Sequence, residues 1–258
     1  MVVHVPHGSK HVPPRFLNDF AIDDAELATE LRVMTDHFTA HLAHATPSLG
    51  GTTLVNRVAR LVMDPERFRD DRDEPMAAKG MGAVYLLGHD GSPLRKPGFP
   101  AHDRERVIDE LYVPYHAALE GLVGRLLNAH GACLIIDLHS FPRRALAFED
   151  GSLPRPSICI GFDDFHVDET LRDRWVELLA ARRLDVAFNV PFAGSLVPLG
   201  YYRRDTRVRS MMIEVRRDLY MDEETGERSA RFDDARELVT AMLDVAAKRA
   251  RELGDARG

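Results

Sequence analysis

Hydrophobic positions along this chain recur in two periods that alternate. Val2-Val3-His4-Val5 is the short apolar run of a buried strand, and it breaks into the turn-forming segment His7-Gly8-Ser9-Lys10. After Asp23 and Asp24, Leu27, Leu31, Met34, Phe38 and Leu42 fall at spacings of three and four, which predicts a helix running to about His44. Residues 52–56 and 59–63 read as two strand pieces around a bend. From about residue 64 to residue 100 no period holds, and glycine and proline are frequent. A loop this long in a compact domain is usually functional or disordered. Residues 104–129 carry Ile108, Leu111, Tyr115, Leu119, Leu122, Val123 and Leu126 at helical spacing. Pro114 within that pattern predicts a kink, and Gly131 a stop. A strand over 132–138 follows, so a helix feeds a strand as in a βαβ unit. Further strands are predicted over 157–161, 186–190 and 211–217, with helices over 169–182 and 229–253. The alternation predicts an α/β fold. No repeat, low-complexity stretch or linker divides the chain, so a single domain over 1–258 is expected.

Composition narrows the function classes. A formal net charge of −7 argues against a nucleic-acid face, which needs a basic surface. No apolar run has the length of a membrane span, and the N-terminus lacks the basic start and long apolar core of a signal peptide. A cytoplasmic protein is the expectation. Cys133 and Cys159 lie in apolar runs and read as buried thiols. The glycine-rich 79–85 segment lacks the spacing of a phosphate loop, which discounts a nucleotide site.

Candidate chemistry centres on Ile135-Ile136-Asp137-Leu138-His139-Ser140-Phe141-Pro142, where an apolar run ends in an acid, a histidine and a serine. Ligands of open α/β sheets bind at the carboxyl ends of strands. His139 there can hold a metal, and Asp137, two residues earlier on the same face, can orient it. His7 ends the first strand in the same way, and Asp36, near the middle of the first predicted helix, is a carboxylate that can point off its apolar face into a site. Two histidines and one carboxylate match the three protein ligands of a catalytic zinc. Glu214 sits in the apolar run Met211-Met212-Ile213-Glu214-Val215, where a glutamate is rarely buried unless paired or working. It is the candidate general base. Arginines bind carboxylates bidentately, and Arg60, Arg67, Arg203 and Arg216 are the candidates for an acidic substrate. Ser140 is a weaker candidate nucleophile: it faces away from its neighbour His139, and no G-x-S-x-G elbow occurs. The constellation fits a metal-dependent hydrolase of a small acidic molecule, with a non-catalytic binding module as the alternative.

These residues resemble the N-formylglutamate amidohydrolase family. The resemblance is carried by Val5-Pro6-His7-Gly8-Ser9, Thr35-Asp36, Ala59-Arg60-Leu61-Val62-Met63-Asp64 with Arg67, Tyr112-Val113-Pro114-Tyr115-His116, Asp137-Leu138-His139-Ser140, Asn189-Val190-Pro191-Phe192-Ala193-Gly194, and Ile213 to Glu223. The pieces keep the family's order over nearly the whole chain. The resemblance implies a zinc-carboxypeptidase-like α/β fold with a mixed sheet between helices. It implies one zinc per chain on His7 and His139, Glu214 as base, and Arg60 and Arg67 on substrate carboxylates. The implied reaction is hydrolysis of N-formyl-L-glutamate to formate and glutamate. Zinc carboxypeptidases place a glutamate three residues after the first histidine; this chain has Lys10 there, and Asp36 takes its place as ligand. The chain also carries Glu66 where typical members have asparagine, and Ala40 where they have an acid. Another N-acyl amino acid or a small peptide-like amide therefore stays open as the substrate.

Overall fold

The structure, a computed structural model, describes residues 1–255; the last three positions of the expected 1–258 domain lie outside the described residues. Strand β1 is Val2–Val5, followed by helix α1, Asp24–Met34. Asp23 caps α1 by accepting from the backbone N–H groups of Ala25 and Glu26, and Glu26 reaches back to the Asp23 N–H. Such a reciprocal cap satisfies donors that the first turn otherwise leaves open. The helix ends at Met34, ten residues short of His44, and Thr35 is already extended. Asp36 donates its N–H to the carbonyl of His7, and Phe38 takes the left-handed conformation with φ 63°. Loop contacts thus override the apolar period, and only the short α2, Thr39–Leu42, resumes it.

Strand β2 is Thr52–Val55. Residues 59–63 form no strand: the Val62 and Met63 N–H groups bond back to Ala59 in a turn. Their apolarity serves a separate core, in which Leu61, Val62 and Met63 pack with Met34, Tyr85, Leu94 and Ile108. The long segment after residue 64 is therefore ordered by its own buried side chains. Helices α3, Ala101–Val107, and α4, Val113–His130, are joined by a π-helical turn over Ile108–Tyr112. Pro114 has no N–H to return to the carbonyl four residues back, and the wider turn accommodates the loss. Gly131 closes α4 at φ 69°, a conformation that a side chain disfavours.

Strand β3, Cys133–Phe141, outruns its expected end by three residues. Strand β4 is Ile158–Gly161, helix α5 Glu169–Ala181, strand β5 Val186–Phe188, strand β6 Val208–Arg216 and helix α6 Phe232–Asp255. The six strands form one mixed sheet in the order β2-β1-β3-β6-β4-β5, with β4 antiparallel to β6 and every other pair parallel. Val3, Val5, Ile136, Leu138, Met211 and Ile213 face the core beneath α2, α5 and α6. Val2, Ile135 and Val208 face α4 with Leu119, Val123 and Leu127. Trp175 of α5 is fully buried and donates from Nε1 to the carbonyl of Met242, 2.9 Å away on α6. Trp175→Ala is expected to cost about 3–5 kcal/mol of stability, read as a lower denaturation midpoint with an unchanged slope.

Candidate metal centre

Register builds the site. His4 of β1 lies beside Asp137 of β3, and His139 of β3 beside Glu214 of β6. Side chains on one strand face recur every second residue. The face that is apolar at Val2, Ile135 and Val208 therefore turns polar towards the carboxyl ends, at His4, Asp137, His139 and Glu214. His7 follows β1 directly, and Asp36 is carried by the loop between α1 and α2. Gly8 lets these two segments approach: a Cβ there would stand 2.8 Å from Thr39 Oγ1.

Three expected ligands meet. His139 Nδ1 is 3.1 Å from Asp36 Oδ2 and 3.2 Å from His7 Nδ1, and His7 Nδ1 is 3.7 Å from Asp36 Oδ2. Donors about 2.0–2.2 Å from a four-coordinate zinc stand roughly 3.3–3.6 Å from one another. The triangle has that size. Behind each donor a second contact fixes its orientation. His7 Nε2 pairs with Asp64 Oδ1 at 2.7 Å, and Arg217 Nη2 donates to Asp36 Oδ1 at 3.0 Å. His139 Nε2 lies 3.1 Å from Asp137 Oδ1 and 3.1 Å from Glu66 Oε1. Asp137 also pairs with His4 Nδ1 at 2.7 Å and accepts the Leu196 N–H at 3.0 Å. Carboxylate–imidazole pairs of this kind set which nitrogen faces a metal.

The charged groups of the site shift one another strongly. Burial alone would raise the Asp36 pKa, yet hydrogen bonds from His139 and His7 and the charge of Arg217 hold it well below the carboxylate range. Burial likewise works against ionised Asp64, and His7, Arg60 and Arg67 overcome it. Against the cost of burial, Glu66 and Asp137 raise the His139 pKa. Glu214 moves the other way: burial, with Asp36 and Glu66 adding to it, pushes its carboxyl up to about 8. Its Oε2 is buried without a hydrogen-bond partner among the described residues.

All four groups line a 390 Å³ cavity together with Arg60 and Arg67. Arg60 donates to Asp64 at 2.9 Å and to the Tyr85 hydroxyl at 3.2 Å. Arg203 and Arg216 stand elsewhere. Arg203 pairs with Asp163 at 2.6 Å and is largely exposed, and Arg216 pairs with Asp218 at 2.7 Å. The cavity wall takes neither. Two residues that periodicity did not single out, Asp64 and Arg217, hold His7 and Asp36 from behind. Asp64 reads as part of a solvated charge run yet is fully buried, and its signal is the apolar run Leu61-Val62-Met63 before it.

Comparison with known proteins gives the constellation a family. The profile of the N-formylglutamate amidohydrolase family matches residues 1–221. The chain belongs to the N-formylglutamate amidohydrolase family. It is 26% identical over 238 residues to an N-formylglutamate deformylase of Pseudomonas aeruginosa, covering 87% of this chain and 83% of that one. It is 25% identical over 227 residues to the N-formylglutamate deformylase of Pseudomonas putida, covering 86% and 82%. The crystal structure of an N-formylglutamate amidohydrolase from Ralstonia eutropha superposes with a TM-score of 0.85 at 26% identity, over 97% of this chain and 94% of that one. A gene product of Agrobacterium tumefaciens, Atu2144, shares the fold, with a TM-score of 0.69 at 19% identity over 96% and 90% of the two chains. For this amidohydrolase-family chain, no helix among the described residues is long and apolar enough to cross a membrane.

Proposed function

We propose that the chain is a metal-dependent amidohydrolase that cleaves the formamide of an N-formyl amino acid, giving formate and the free amino acid. The convergence of His7 Nδ1, His139 Nδ1 and Asp36 Oδ2, each held from behind, carries the reading. These three residues would hold one divalent ion, zinc on the chemistry of the donor set, which when bound supplies a Lewis acid for water and carbonyl activation. Asp64 and Asp137 keep the imidazoles turned so that Nδ1 of each faces the triangle. Glu214, on the cavity wall with an unpartnered oxygen, takes the proton of the attacking water and delivers it to the leaving amine. Arg67 and Arg60 lie where a substrate carboxylate can be held. The names of the Pseudomonas relatives make N-formylglutamate the first substrate to test.

The test combines metal analysis with a formate-release assay. About one metal per chain is expected. Hydrolysis of N-formyl amino acids should vanish on chelation and return on adding zinc. Full activity after complete metal removal would refute the reading. Ligand binding with no turnover of any amide would leave a binding module in its place.

A further inference from the structure

A dicarboxylic substrate brings two negative charges, and the amidohydrolase reading, on which this inference rests, names cations for one of them. The charge on the cavity wall shows where the second can go. The wall carries the cations Arg60, Arg67, Lys79 and Arg217 and the acids Asp36, Glu66, Glu149, Asp150 and Glu214. Most of these groups answer one another or a neighbour. Arg217 is bound to Asp36, the Val33 carbonyl and Ser140. Arg60 is bound to Asp64 and Tyr85. Glu66 lies 3.1 Å from His139 Nε2, and Glu149 pairs with Arg155. Asp150 accepts the Ser152 N–H at 2.9 Å and the Ser152 hydroxyl at 2.6 Å. Arg67 is 3.9 Å from Asp64. Lys79 differs, because it pairs with no acid among the described residues. Its ammonium donates to the Phe148 carbonyl at 2.8 Å.

That bond occupies one of three ammonium donors, so two remain for a ligand in the cavity that Lys79 and Phe148 both line. The backbone beneath the lysine is fixed. Lys79 ends the short turn Pro75–Lys79, which Glu74 caps and Gly80 closes at φ 72°. Met34, Met76 and Leu146 share the wall and suit the methylenes that separate two carboxylates. We infer that Lys79 is a specificity-determining residue that receives the side-chain carboxylate of an N-formyl dicarboxylic amino acid such as N-formylglutamate. Arg67 and Arg60 are left for the α-carboxylate. Lys79 is exposed, so water screens the pair. Its weight is that of an ion pair in contact with solvent, up to about fivefold in binding.

The experiment compares kcat/KM of the metal-loaded protein for N-formyl-L-glutamate and N-formyl-L-glutamine, which has the same shape and lacks the second charge. The glutamate substrate is expected to be favoured about fivefold. Lys79→Met, which keeps an unbranched apolar stem and removes the charge, is expected to bring that ratio to about one, with the loss carried by KM rather than kcat. Lys79→Arg is expected to keep most of it. A ratio near one in the unaltered protein would overturn the inference and leave the amidohydrolase reading standing. So would a ratio that Lys79→Met does not move, or a loss carried by kcat. Hydrolysis of neither amide would instead refute the amidohydrolase reading itself.

Discussion

Glu214→Gln is expected to lower kcat by about 10²- to 10⁴-fold while the protein keeps its full complement of metal. The substitution preserves shape and removes only the ability to take a proton. Glu214 is not part of the His7–Asp36–His139 triangle, so ligation should survive it. A base must be ionised to work, and burial holds the metal-free carboxyl up to about 8. Positive charge in the triangle favours the carboxylate, so base and ion are coupled.

The same residue makes a second measurement move in the opposite direction. In the metal-free protein the folded pKa of about 8 stands above the ordinary 4.5. A raised folded pKa means that stability is fully present below 4.5 and is lost as pH rises towards 8. Metal-free Glu214→Gln should therefore match the parent near pH 4 and exceed it above pH 8, by an amount on the order of a few kcal/mol. Denaturant titrations at the two pH values read the difference. Activity lost together with stability gained distinguishes a working carboxylate from one kept for packing. A variant that is less stable at both pH values would refute this account of Glu214.

Arg217→Met is the second large effect. Arg217 is buried and bridges Asp36 Oδ1, Ser140 and the Val33 carbonyl, tying the end of β6 to the end of α1. Removing one partner of a buried pair leaves an uncompensated charge, at a cost of about 3–5 kcal/mol. The loss should depend on pH. Asp36 is held below the ordinary 3.8, so the stability it contributes is present above that value and disappears as pH falls through the folded pKa. The gap between Arg217→Met and the parent should then be widest near neutrality and narrow below about pH 4. Metal affinity should fall about 10- to 100-fold, as when the support of a ligand is removed. Unchanged metal affinity, measured by competition with a chelator, would show that Arg217 braces the fold alone.

How much of this could be read beforehand follows from what period and residue type encode. The two-residue repeat on β3 put Asp137 and His139 on one face, and the isolated glutamate of β6 marked Glu214; both are local signals. Asp36 was legible as a residue but not as a conformation. The apolar spacing through Phe38 and Leu42 continued the helix, whereas the Asp36 N–H bonds to His7, a contact no local window contains. Asp64 and Arg217 reach His7 and Asp36 through contacts that span 57 and 181 residues. A charged residue in a charged run looks solvated until the fold supplies its counter-charge. Arg203 and Arg216 show the converse, since arginines near a site in sequence spend their charge on Asp163 and Asp218.

The strand order has a consequence for how the protein comes into being. β1 leaves the ribosome first and can pair at once with β2, yet its other edge belongs to β3, whose partner β6 begins only at Val208. At synthesis rates of about 5–20 residues per second, that interval is roughly ten seconds or more. Until β3 has been made, His7 and Asp36 stand without His139, and one edge of β1 lies open. The His7–Asp36–His139 triangle is complete only after β3 docks, and Glu214 joins it later still. The meeting of all four residues thus marks a nascent chain whose central sheet has closed.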